Sequence, residues 1–70
     1  MTIGTSVRRL REARGLSQAA LARRAKIGRI TLLRIEQGTQ RPTLDTLSKI
    51  AVALRVDLRE LFPPSRRGQK

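Results

Sequence analysis

The 70-residue chain contains no cysteine, no histidine, no tryptophan and no tyrosine, and its one aromatic side chain is Phe62. Without thiols there is neither a disulfide framework nor a thiolate metal site, and an intracellular setting is the default. Without imidazole a metal ion would depend on carboxylates, which are limited to Glu12, Glu36, Asp45, Asp57 and Glu60. There is no histidine, cysteine or paired-carboxylate constellation on which catalysis could be built, so an enzyme is not expected; Ser17 and Ser48 read as helix residues. A single aromatic ring excludes the stacking platforms that hold single-stranded nucleic acid. No apolar run exceeds Ile50–Leu54, too short for a membrane span or a signal-peptide core. The expectation is a cytoplasmic protein without metal or cofactor.

What the chain has in excess is positive charge. Sixteen Lys and Arg residues stand against five Asp and Glu, a formal net charge of +11. Residues 1–42 hold ten of the basic side chains (Arg8, Arg9, Arg11, Arg14, Arg23, Arg24, Lys26, Arg29, Arg34 and Arg41) and only two acidic ones, Glu12 and Glu36. Self-repulsion on this scale destabilises a compact chain, and a polyanionic partner is its natural counterpart. At this length the chain is one domain, near the lower size at which a core sustains a fold unaided.

Apolar spacing and turn residues predict an all-α domain of five helices over residues 6–62. A loose N-terminus, residues 1–5, leads to Thr5 or Ser6 as cap of a first helix that ends near Arg14, with Val7 and Leu10 facing inward and Gly15 stopping it. Arg11 lies four residues from Val7 on the apolar side and therefore needs a carboxylate partner. Ser17 caps Gln18–Ala25, Lys26–Gly28 turns, and Gly28 caps a third helix that Gly38 terminates. After the loop Thr39–Pro42, Thr43 caps Leu44–Leu54, in which Leu44, Leu47, Ile50, Ala51 and Leu54 recur at helical spacing. Asp57 and Glu60 form a capping box for a last short helix ending near Phe62. Pro63–Pro64 blocks continuation, and Ser65–Lys70 reads as a disordered basic tail.

Residues 17–38, SQAALARRAKIGRITLLRIEQG, thus hold two short helices joined by a tight break, the shape of a helix-turn-helix. On a wheel at 100° per residue from Arg29, Leu32 and Ile35 fall at about 300° and 240° and share one side. The opposite side collects Ile30, Leu33 and Arg34, with Arg29 at its edge. Arginines beside bare aliphatics suit a groove-reading helix, because Arg can fork onto guanine while an aliphatic group touches a thymine methyl. An ordinary amphipathic helix would show the same burial with a less orderly surface.

Three segments, Arg11-Glu12 with Gly15-Leu16-Ser17-Gln18 and Leu21-Ala22, then Arg34-Ile35-Glu36-Gln37-Gly38, then Arg41-Pro42-Thr43-Leu44 with Leu47, resemble the Cro/repressor helix-turn-helix family. The resemblance spans about Val7–Phe62. It implies a five-helix domain that binds a two-fold operator in double-stranded DNA as a homodimer. It implies base contacts by Arg29, Ile30, Leu33 and Arg34, and phosphate contacts by Gln18, Thr39, Gln40 and Arg41. Arg11 and Glu36 match a buried ion pair of similar proteins, which supplies the carboxylate that Arg11 requires. Arg55 and Leu58 lie where similar repressors meet across the two-fold axis, with Leu58 expected to be exposed. Similar sequences carry glycine where this chain has Lys26 and Arg55, so both positions are expected at positive φ, at roughly 1 kcal/mol or more for a residue with a Cβ. Their usual serine cap on the reading helix is here Gly28, which removes one phosphate-facing hydroxyl.

The competing reading is an adaptor that uses the same fold for protein–protein contacts with the transcription or translation machinery; a polar third-helix face and a long extra segment would mark it, and neither is present. A cationic membrane-active peptide would need one continuous amphipathic stripe rather than several capped helices. No small-molecule effector is expected, since no second domain is apparent.

Overall fold

In a computed structural model that describes residues 2–62, four α-helices are followed by one 3-10 turn: α1 Ile3–Ala13, α2 Gln18–Ala25, α3 Arg29–Gln37, α4 Leu44–Leu54, and the turn Leu58–Leu61. There is no strand among the described residues. The fifth predicted helix is thus a single tight turn, in which Glu60 N–H bonds to the Asp57 carbonyl (2.9 Å) and Phe62 N–H to that of Arg59 (3.2 Å). Four residues are too few for an α-helix to satisfy its own ends. The Glu60 carboxylate closes the start of the turn by accepting the Asp57 N–H at 3.1 Å. The expected disordered tail lies outside the described residues.

Each element contributes side chains to one core: Val7 from α1, Leu21 from α2, Leu32 and Ile35 from α3, Ile50 and Leu54 from α4, and Leu61 from the turn, all essentially without solvent exposure. Ala22 and Ala25 are also buried, and their small size lets α2 approach α3 and α4 closely. Leu44 departs from the expected apolar stripe and is 63% exposed. It sits in the first turn of α4, about 70° from the centre of the stripe made by Leu47, Ile50, Ala51 and Leu54.

The N-terminus also differs from expectation. Helix α1 starts at Ile3, and Thr2 rather than Thr5 or Ser6 caps it, accepting the Thr5 N–H at 3.2 Å. Three hydroxyl residues compete within five positions, and tertiary packing decides among them. Ile3 packs against the core, and Gly4 is buried where a Cβ would collide with the carbonyl oxygens of Ile35 and Glu36 at the end of α3. Ser6 is carried into the helix interior, where its hydroxyl has no hydrogen-bond partner.

All four helices end alike, through a left-handed residue followed by an N–H that reaches back five residues. Leu16 bonds to the Arg11 carbonyl (3.1 Å), Ile27 to Ala22 (3.0 Å), Thr39 to Arg34 (3.0 Å) and Val56 to Ala51 (3.0 Å). The left-handed residues are Gly15 (φ 67°), Lys26 (φ 59°), Gly38 (φ 81°) and Arg55 (φ 60°). The positive φ expected at Lys26 and Arg55 is therefore present, and at both places a long basic side chain stands where glycine would be unstrained.

Candidate nucleic-acid interface

The site is built around α3, which Leu32 and Ile35 anchor in the core. Its other side carries Arg29, Ile30 and Arg34 in solvent, with Ile30 55% exposed, while Leu33 is half-buried. The wheel thus places these residues correctly, with Leu33 nearer the flank than the crest. At the N-terminus of α3, Gly28 provides no side-chain cap, so no side-chain oxygen meets the first-turn N–H groups. Those groups and the positive end of the helix dipole suit an anion.

Beneath the far end of α3 lies a buried polar seam. Arg11 donates from Nε to Glu36 Oε2 (2.7 Å) and from Nη2 to Oε1 (3.1 Å), and its Nη1 donates to the Leu16 carbonyl at 2.8 Å. The two side chains are 11% and 3% exposed. The hydrogen bond that Arg11 donates to Glu36 holds the Arg11 pKa above its ordinary value, outweighing the opposite pull of burial. The fork geometry satisfies both carboxylate oxygens, which is the condition under which a buried charge pair is tolerated. Gln18 joins the seam, its Nε2 donating to Glu36 Oε1 at 3.1 Å. A carboxylate only accepts, so the Gln18 NH₂ faces Glu36 and its own oxygen is turned elsewhere. Gln18 therefore ties the start of α2 to the end of α3, a contact between residues eighteen positions apart that no local pattern announces.

The loop after α3 is held by one carbonyl. Arg34 O accepts from the backbone N–H of Thr39 (3.0 Å) and Gln40 (3.3 Å) and from the Thr39 hydroxyl (3.3 Å). Thr39 and Arg41 are exposed and Gln40 is half-buried. The Arg14 guanidinium, unremarked in the sequence, donates to the Leu54 carbonyl and so fastens the end of α1 to the end of α4. Arg55 is exposed, but Leu58 is half-buried against the core and not the free apolar side chain expected there. The alternation of Leu58 and Leu61 in a 3-10 turn brings both toward one face, because its period is three.

The electrostatics follow from the acidic residues. Glu12 pairs with Arg8 (3.2 Å), Glu36 with Arg11, Asp45 with Lys49 (3.4 Å) and Asp57 with Arg59 (3.8 Å), and Glu60 caps the turn. Every carboxylate side chain of the described residues is engaged, and none meets Arg29, Arg34 or Arg41. Those cations face water with nothing of opposite sign beside them, which is the electrostatic footprint of a polyanion-binding face. Among the described residues no cluster of metal-ligating side chains exists, and no helix is long and apolar enough to cross a membrane.

A helix-turn-helix family model (HTH_3) matches residues 7–61. The chain belongs to this helix-turn-helix family. The family consists of DNA-binding transcriptional regulators and not of enzymes. The helix-turn-helix domain is similar to the immunity repressor protein of Bacillus phage phi105, 36% identical over 58 residues that cover 83% of this chain and 40% of the repressor. It is also similar to the cryptic phage CTXphi transcriptional repressor RstR of Vibrio cholerae, 38% identical over 61 residues, 87% of this chain and 55% of that one. Among solved structures it matches the restriction-modification controller protein C.AhdI from Aeromonas hydrophila, with a TM-score of 0.84 and 38% identity over 86% of this chain and 91% of the controller. The chain thus spans about half the length of the phage repressors it matches and nearly the whole of the controller.

Proposed function

We propose that this helix-turn-helix protein is a sequence-specific regulator of transcription, a repressor or controller, that binds a palindromic operator in duplex DNA as a homodimer in the cytoplasm. The observation that carries the reading is the outward face of α3, where Arg29 and Arg34 flank Ile30 with no carboxylate in reach. In the major groove, Arg29 and Arg34 read guanine edges, and Ile30 and Leu33 meet thymine methyls. Gln18, Thr39, Gln40 and Arg41 hold the phosphate backbone, Gln18 through its backbone N–H at the start of α2 and the second hydrogen of its side-chain amide. Arg55 and the half-buried Leu58 lie at the two-fold contact, and two equivalent α3 helices then sit about 34–36 Å apart, one helical turn of DNA.

Selection of bound sites from a random duplex pool tests this reading. The expected result is an imperfect palindrome with half-site centres roughly 10 bp apart. With roughly 6–10 phosphates neutralised per dimer, log K falls against log[salt] with a slope of about −5 to −9, and Arg41→Ala makes it shallower by roughly one unit per monomer without changing the selected sequence. A slope near zero removes DNA as the main partner, and one monomer per saturated site removes the dimer.

A further inference from the structure

A groove of about 360 Å³ runs between the end of α2 and the exposed side of α4, lined by Arg24, Ala25, Lys26, Ser48, Lys49 and Val52. None of these residues belongs to the DNA contacts proposed above. Ala25 is buried and forms part of its floor, while Val52 is 77% exposed, more than any other large apolar side chain exposed on the domain. An aliphatic group so exposed contributes almost nothing to the core. The charged residues that line the groove are all basic: among the described residues Arg24 and Lys26 have no carboxylate within 4.0 Å, and Lys49 has only the exposed Asp45 at 3.4 Å. Lys26 reaches the groove from the left-handed end of α2, at φ 59°, as Arg55 stands at the end of α4 with φ 60°.

We propose that this groove docks an acidic protein segment bearing a bulky apolar side chain, which seats on Ala25 and Val52 while its carboxylates meet Arg24, Lys26 and Lys49. A second copy of this chain is a poor occupant of this groove, since its five carboxylates are each engaged within its own domain and leave none for the basic rim. Duplex DNA would satisfy the cations but offers no bulky apolar side chain for the floor.

The test is a titration of the ¹⁵N-labelled full chain with a short synthetic peptide of Asp and Glu residues carrying one Leu and one Phe, beside the same peptide with both apolar residues changed to Ser. Amide shifts are expected to centre on Ala25, Ser48 and Val52, with the Ser peptide about tenfold weaker, the loss of one well-seated anchor. Val52→Ser, at an exposed site that the fold does not need, should weaken the Leu/Phe peptide about fivefold and leave DNA affinity unchanged. Lys26→Gly should weaken the peptide severalfold while raising the melting temperature, a split that a merely structural lysine would not give. Equal binding of the two peptides, or shifts centred on Arg29, Arg34 and Arg41, overturns the proposal in favour of unspecific charge attraction. Loss of DNA affinity in Arg24→Glu/Lys26→Glu with peptide binding intact assigns the groove to the phosphate backbone, and self-association abolished by Val52→Ser with peptide binding intact assigns it to a second copy; either result also overturns the proposal.

Discussion

Helix α3 has two sides that use the same residue chemistry to opposite ends. Toward the protein, Glu36 receives Arg11 and Gln18 in a seam almost closed to solvent. Away from it, Arg29 and Arg34 stand in water with no acidic neighbour. An arginine surrounded by protein acceptors is part of the fold; an arginine on the same scaffold with its donors unused is available to a ligand. The difference lies in where the few carboxylates are placed. With five acidic residues in the whole chain, each committed within the domain, the remaining cations are left uncompensated by construction.

The comparison breaks most sharply on its inner side. Arg11→Met or Glu36→Leu alone is expected to cost about 3–5 kcal/mol, because each leaves a buried charge without its partner. The double replacement should be far milder, and thermal unfolding of the three variants measures the contrast. Two single variants that melt with the parent would show the seam to be open to water. Since the folded-state pKa of Arg11 is raised, its contribution is fully present below the unfolded value and is lost only as pH rises through the higher folded one. Mildly alkaline solution therefore leaves the Arg11 side of the seam intact.

On the outer side the expected signs reverse. Arg29→Ala and Arg34→Ala should leave stability within about 0.5 kcal/mol, as exposed residues whose side chains neither cap a helix nor enter the core do. Each should instead cost about 1–3 kcal/mol of DNA affinity and relax the preference at one base pair, read by repeating the selection with each variant. Affinity lost with base preference unchanged would make both residues phosphate contacts.

The smallest effect concerns the helix ends. Lys26→Gly and Arg55→Gly should each stabilise by about 1 kcal/mol, since glycine enters the left-handed region without a Cβ clash. Denaturant midpoints check this. At Lys26 the gain should be accompanied by weaker peptide docking, whereas at Arg55, outside the groove, no such loss is expected.

Much of the architecture is local and therefore legible. Leu32 and Ile35 recur with the period of a helix, and Ser17 and Thr43 cap α2 and α4 by accepting the N–H groups of Ala20 (3.0 Å) and Thr46 (3.1 Å), as their positions foretell. The outward set Arg29, Ile30 and Arg34 follows from the same wheel, and the ion pair and the two strained turns follow from the family resemblance.

What the sequence by itself determined is thus the all-α class, the places of α2, α3 and α4, the excess of cations over carboxylates and the side of α3 on which the cations stand, because each depends on neighbours within a few positions. The tertiary structure alone decided that Thr2 begins α1, that Gln18 reaches Glu36, that Arg14 closes the end of α4, and that Leu44 is exposed while Leu58 is half-buried. Those outcomes depend on which helix ends meet in space. A hydroxyl, an amide or a guanidinium has several equivalent local partners, and only the approach of a distant carbonyl or carboxylate selects one of them.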